Sequence, residues 1–166
     1  MAINIKVNGR DWPVSADPDT PLLYVLMNEL ELKGPRFGCG LAQCGSCSVL
    51  ADGVEIRSCQ TVVSDVGARA ITTLEGLPEL YAKQKGLATV PAMHPLSQAF
   101  VDEQAMHCGY CYNGQTVKAA ELLAKTPHPT EAQIRAHMDG HICRCGSYPR
   151  IMKSIQTAAA AIVKEG

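Results

Sequence analysis

A chain of 166 residues is long enough for one domain of ordinary size or for two small ones. An apolar content of 46% with 19% charged residues excludes a disordered chain, and a formal charge of −1 offers no basic field for nucleic acid or an anionic membrane. No apolar run reaches membrane-spanning length, and Met1 to Arg10 lack a signal-peptide core, so a cytoplasmic protein with no transmembrane segment and no nucleic-acid partner is expected.

In chain order, Ile3, Ile5 and Val7 alternate with polar residues, Asn8-Gly9 supplies a tight turn, and Trp12 and Val14 resume the alternation, which predicts a β-hairpin. Thr20 before Pro21 reads as an N-cap with proline at the first helical position, opening a helix that runs to about Leu30. From Lys33 to Cys47 the chain is rich in Gly and Cys, as an ordered loop wrapped round a bound group would be. Cys47 to Leu50, the Asp52-Gly53 turn and Val54 to Cys59 predict a second hairpin, and Ala70 to Leu74 a last strand. The texture then becomes helical. A first domain over residues 1–77, a linker over 78–93 and an all-helical domain over 94–166 are expected. Helices are predicted from His94-Pro95 to about Met106, from Gly114 to about Lys125, from the Thr130 to Gln133 capping box to Gly140, and from Pro149 onward. The last carries Ile151, Ile155, Ala158, Ala159 and Ile162 on one stripe. Four short helices suggest a bundle.

Eight Cys are unusual in a reducing compartment, where ordinary disulfides do not persist, and two Phe with one Trp make few aromatic core anchors. Bound metal is the natural explanation. Cys39, Cys44, Cys47 and Cys59 follow the plant-type ferredoxin spacing C-x4-C-x2-C with a distant fourth Cys. Gly40 and Gly45 follow two of them directly, which lets the backbone turn and aim N–H groups at sulfur. Buried thiols, disulfides and a four-thiolate zinc site are the alternatives. Zinc prefers paired C-x2-C knuckles, which this set lacks. Cys108 and Cys111 form a C-x2-C, and Cys143 and Cys145 a C-x-C, each just after a predicted helix. On ligand type alone this second set suits zinc or an iron-sulfur cluster. Tyr112 after Cys111 excludes a C-x-x-C-H haem attachment. The five His residues are scattered outside any nucleophile motif. His94 and His128 precede prolines as caps or loop residues do, and Gly140 interrupts the His137 and His141 pair.

The segments Cys39 to Cys47, His107-Cys108-Gly109-Tyr110-Cys111 and Ile142-Cys143-Arg144-Cys145-Gly146, in that order, resemble the small iron-sulfur subunit of the xanthine oxidase family of molybdenum hydroxylases. The likeness runs along nearly all of the chain. It implies an α+β protein in which an N-terminal β-grasp ferredoxin-like domain precedes an all-α four-helix bundle. Each domain would hold one [2Fe-2S] cluster, so the second set also takes iron. It implies an electron-transfer role beside a large molybdenum-binding subunit, whose molybdopterin, as the cytosine dinucleotide, lies nearest the bundle cluster. Electrons from an N-heteroaromatic or aldehyde substrate would leave by the ferredoxin-domain cluster toward a flavin or cytochrome subunit. By position Cys145 resembles the Cys that contacts the pterin. His107 stands where the family often has a pterin-facing Gln. The rival from another class is a free-standing ferredoxin-type carrier or a zinc-binding interaction module.

Overall fold

The computed structural model describes residues 3–164, so the domain ends drawn at residues 1 and 166 lie outside it. Strands β1 (Ile3–Val7) and β2 (Arg10–Val14) pair antiparallel, with Ile5 opposite Trp12. Their turn has φ of 48° at Asn8 and 77° at Gly9, the left-handed pair that Asn-Gly adopts at little cost. Strands β3 (Ser48–Ala51) and β4 (Val54–Arg57) form the second hairpin, turning at Asp52 and Gly53 in the same manner. Strand β5 (Ala70–Thr72) lies parallel to β1 and antiparallel to β3, giving the mixed order β2-β1-β5-β3-β4.

The helical segment that covers this sheet opens one residue later than the sequence predicts. Pro21 occupies the cap and is bridged to Val62, while α1 (Leu22–Tyr24) passes into a π-helical turn over Val25–Glu29. The π turn closes through Leu30 N–H to Val25 O at 3.1 Å. Leu22, Val25 and Leu26 thereby face Ile5, Val7, Val49 and Ile71 in the first core. A short helix α2 (Val63–Val66), which no sequence signal announces, adds Val63 and Val66 to that core.

The stretch expected as a linker is partly structural. After a 3-10 turn at Leu74–Gly76, residues Leu77–Lys85 form helix α3, and Leu77 and Tyr81 are buried in the core of the helical half. Gly86, with φ of 64°, ends α3, and Leu87 N–H returns to Ala82 O, so the extended connection is only the remainder of 78–93. Four further helices follow: α4 (Pro95–Asp102), α5 (Tyr112–Lys125), α6 (Glu131–His137) and α7 (Tyr148–Lys164). Helix α4 stops short of Met106 because Gln104 turns left-handed at φ 48° and Ala105 N–H bonds back to Phe100 O. The capping box at Thr130 and Gln133 is formed as expected. Ile151, Ile155, Ala158, Ala159 and Ile162 are all buried on α7, packed with Leu96, Phe100 and Val117. Helix α5 contacts both α7 and strand β3, so it joins the two halves.

His94 is the N-cap of α4. Its Nδ1 accepts the Leu96 N–H at 3.1 Å, which requires the neutral ring. The ring packs edge-on to Tyr81 at 5.1 Å and is 5% exposed, and burial lowers its pKa to about 4. The unfolded chain therefore takes up a proton before the folded one does. Stability is complete above about pH 6.5 and falls as pH drops toward 4, by an amount on the order of 3 kcal/mol. We expect His94→Asn, which keeps a capping side chain without a titrating one, to flatten the fall in melting temperature between these pH values. Identical slopes in the two proteins count against the assignment.

Candidate metal centres

The N-terminal candidate is built on the loop between the π turn and β3. Glu75 holds its start, Oε1 accepting the N–H groups of Lys33 at 2.9 Å and Gly34 at 2.7 Å, and Arg36 N–H closes it onto Ser46 O at 3.0 Å. Gly40 and Gly45 take φ of 67° and 82°, as their places after Cys39 and Cys44 require. The turn aims backbone donors at sulfur: Leu41 and Gln43 N–H at Cys39 Sγ, 3.3 and 3.2 Å, and Cys39 N–H at Cys44 Sγ, 3.4 Å. Burial raises the Cys39 thiol, but these N–H groups outweigh it and bring the pKa down to about 7. Cys47 begins the approach to β3 and Cys59 follows β4, and both are buried beside Leu23 and Met27.

The C-terminal candidate joins the loop before α5 to the loop before α7. Cys108 and Cys145 are exposed with their sulfurs 3.4 Å apart, while Cys143 is buried beside the half-buried Cys111. Cys143 N–H donates to Tyr148 Oη at 2.8 Å. Phe100 packs edge-on to Tyr112 at 5.4 Å, behind Cys111. Exposed His107 lines the same small cavity as Cys108, Cys111, Cys143 and Cys145. The two residues expected to face a pterin, Cys145 and His107, thus share one exposed mouth. Tyr110 reaches away from this set. It is 47% exposed and leans toward the other cradle, its hydroxyl donating to Phe37 O and its ring under Arg36.

Cys39 N–H meets Cys44 Sγ, Cys47 and Cys59 share one buried cluster, Cys108 and Cys145 bring their sulfurs within 3.4 Å, and Cys111 neighbours Cys143. Among the described residues no three His, Cys, Asp or Glu side chains gather closely enough to hold a single ion. Four cysteines per cradle suit a two-iron, two-sulfide group, in which each iron takes two thiolates. Burial pushes both Cys47 and Cys111 up to about 12, and the neighbouring thiols, Cys59 for the first and Cys143 for the second, add to it. As ligands they must be thiolates, which calls for strong positive charge within the cradle, such as bound iron would supply.

The residues that sequence reasoning passed over lie between the cradles. Asn113 Nδ2 donates to Ser46 O and Ser48 O, both at 2.9 Å, and Gln115 Nε2 to His141 O at 3.1 Å. Gly114 rests directly on Gly45: a Cβ there would lie 2.1 Å from Gly45 O. Ile142 N–H donates to Cys44 O at 3.0 Å. Glu55 and His141 are buried in this seam as well. Glu121 on α5 holds Lys118 at 2.8 Å, Lys125 at 2.6 Å and His137 at 3.3 Å, and Lys118 also reaches Glu55 at 3.4 Å. Gly114 in the predicted helix after Cys111 was the available sign, since glycine there costs about 1 kcal/mol against alanine and is kept where another backbone comes close.

Residues 5–70 match the family model described as a 2Fe-2S iron-sulfur cluster binding domain, and residues 82–156 match the one described as a [2Fe-2S] binding domain. The chain is 46% identical over 157 residues to one of the subunits of nicotinate dehydrogenase from Pseudomonas putida, covering 95% of this chain and 94% of that one. It is 44% identical over 158 residues to the alpha subunit of isoquinoline 1-oxidoreductase from Brevundimonas diminuta, covering 95% and 97%. The structure superposes with a TM-score of 0.87 and 31% identity on the aldehyde oxidoreductase of Desulfovibrio desulfuricans, covering 99% of this chain and 17% of that longer one. Two cysteine cradles on an α+β frame of two domains, matched along nearly their whole length, carry one conclusion: the chain belongs to the small iron-sulfur subunits of the xanthine oxidase family of molybdenum hydroxylases.

Proposed function

We propose that this chain carries electrons from a molybdopterin site on a large partner subunit to an external acceptor during oxidation of an N-heteroaromatic substrate. Two cradles of four cysteines, one per domain, are the observation that carries this reading. Cys39, Cys44, Cys47 and Cys59 hold one [2Fe-2S] cluster, and Cys108, Cys111, Cys143 and Cys145 the other. When bound, such clusters supply one-electron carriage. The chain's own residues hold the thiolates, aim N–H groups at sulfur and exclude water on the buried side, all of which tune potential. The names of the nicotinate and isoquinoline relatives support the heteroaromatic class over an aldehyde. Exposed Cys145 and His107 form the face turned to the pterin, a cytosine dinucleotide in this reading, and a flavin or cytochrome subunit takes the electrons. A cytoplasmic location belongs to the same reading. No described helix is long and apolar enough to cross a membrane.

The test is metal analysis and low-temperature paramagnetic resonance on anaerobically purified complex. The expected result is about four irons and four sulfides per chain, two distinct reducible signals and a co-purifying molybdenum subunit. About two irons, or stoichiometric zinc with a colourless protein, would overturn the assignment. Recovery of a fully loaded chain without any molybdenum partner would mark a free-standing carrier instead.

A further inference from the structure

Between the two cradles runs a seam of buried polar groups that neither cradle needs for its own thiols. Glu55 lies on β4, and His141 stands just ahead of Cys143; their side chains are 9% and 1% exposed. His141 Nε2 is 3.4 Å from Glu55 Oε1 and 3.3 Å from Ser48 Oγ, while Nδ1 has no partner among the described residues. The tautomer that satisfies the ring therefore carries its proton on Nε2 and donates it across the seam. Arg57 from the sheet side, at 2.9 Å, and Lys118 from the helical side, at 3.4 Å, complete the ring of partners around the Glu55 carboxylate, and Ser48 Oγ is 2.6 Å away.

At Gly45 and Gly114 the backbones meet directly with no side chain between them, while Leu50 of β3 packs into the helical core close by. A Cβ on Gly45 would fall 2.4 Å from His141 Cδ2, and one on Gly114 would fall 2.1 Å from Gly45 O. Non-directional apolar contact tolerates sliding, and directional polar contacts select one arrangement. The bond they protect is Ile142 N–H to Cys44 O, which ties a residue of the first cradle to the neighbour of Cys143 in the second.

We propose that Glu55 and His141 form a latch that fixes the Cys39–Cys47 loop against the Cys143–Cys145 loop, making His141 a positioning residue for electron transfer between the two domains. The proposal rests on the reading that both thiol sets hold clusters. A buried polar network often adds little to stability while selecting a single geometry. The expected signature of its loss is a looser seam rather than an unfolded protein.

The experiment uses the fully reduced complex, with Glu55→Gln and His141→Leu beside the parent. In the parent the two reduced clusters split each other's signals through their magnetic dipoles. In both variants iron stays at about four per chain, as two loaded clusters require, and both signals persist. The resolved splitting broadens away, and amide exchange at Ile142 accelerates about tenfold, the scale of one lost buried hydrogen bond. His141→Gln, which can still donate toward Glu55, recovers part of both. Unchanged splitting together with unchanged Ile142 protection overturns the latch. Should His141→Leu fail to take up iron, the near-isosteric Glu55→Gln decides on the same two readouts. Absence of two signals in the parent strikes at the cluster reading instead, and Ile142 exchange, which needs no cluster, still judges the latch.

Discussion

Replacing Cys47 by Ser is expected to halve the iron, from about four to about two per chain, and to abolish one of the two paramagnetic signals while sparing the other. Cys47 is 2% exposed between the cradle loop and β3, next to Cys59, and its thiol is raised to about 12 by burial. A serine hydroxyl is far harder to ionise there, so the ligand is lost rather than exchanged. A cluster held by all four thiols ties Cys39 to Cys59 and closes the loop between them. A cross-link over a loop of that size is worth about 3 kcal/mol through the entropy it removes from the unfolded chain. For a protein of this length that corresponds to a fall in melting temperature of roughly 10 °C. The distant fourth ligand can be tested in the same way with Cys59→Ser, which should match Cys47→Ser in both iron and melting temperature. Iron remaining near four with both signals intact would remove Cys47 from the ligand set.

Gly114→Ala is expected to destabilise the protein by about 2 kcal/mol or more, although alanine in a helix ordinarily gains about 1 kcal/mol over glycine. The sign is decided by the contact with Gly45. A Cβ at 114 would lie 2.1 Å from Gly45 O and 2.7 Å from its carbonyl carbon, both backbone atoms that no rotamer change can move aside. The cradle loop must retreat from α5 by about an ångström to restore an ordinary contact. That retreat pulls on the Asn113 bonds to Ser46 O and Ser48 O. Thermal unfolding of the purified variant checks it: a melting temperature lower by about 4 to 8 °C is expected. A value equal to or above the parent's, as helix propensity alone predicts, would show that the seam yields easily.

Local chemistry made much of this molecule legible. Asn8-Gly9 and Asp52-Gly53 specify hairpin turns because few other pairs accept two left-handed residues, and both turns are present. The Thr130 capping box and the His94 cap are likewise short-range arrangements, read within four residues and formed as expected. Helix α3 escaped notice because its three buried residues, Leu77, Tyr81 and Ala82, make too short a stripe, interrupted by Pro78 and stopped by Gly86, to stand out from a connecting segment. Its reason to be helical lies in the apolar core it meets. Glu55 and Glu121 read as ordinary surface carboxylates, and nothing near them in the chain says otherwise. Their partners arrive from other elements or from the same helix face once α5 is buried.

The cysteine spacings, the glycines beside them and the two turn pairs by themselves determined that the first cradle follows a two-iron ferredoxin pattern and that strands precede helices, because each depends on neighbours close in the chain, while the second cradle stayed open between zinc and iron until the family resemblance was added. How the two cradles face one another was decided only by the tertiary structure. The contacts that set it, Gly45 on Gly114, Cys44 O to Ile142 N–H and Glu55 to His141, join residues 69 to 98 positions apart. A single sequence records that both partners exist and not that they meet; packing alone brings them together.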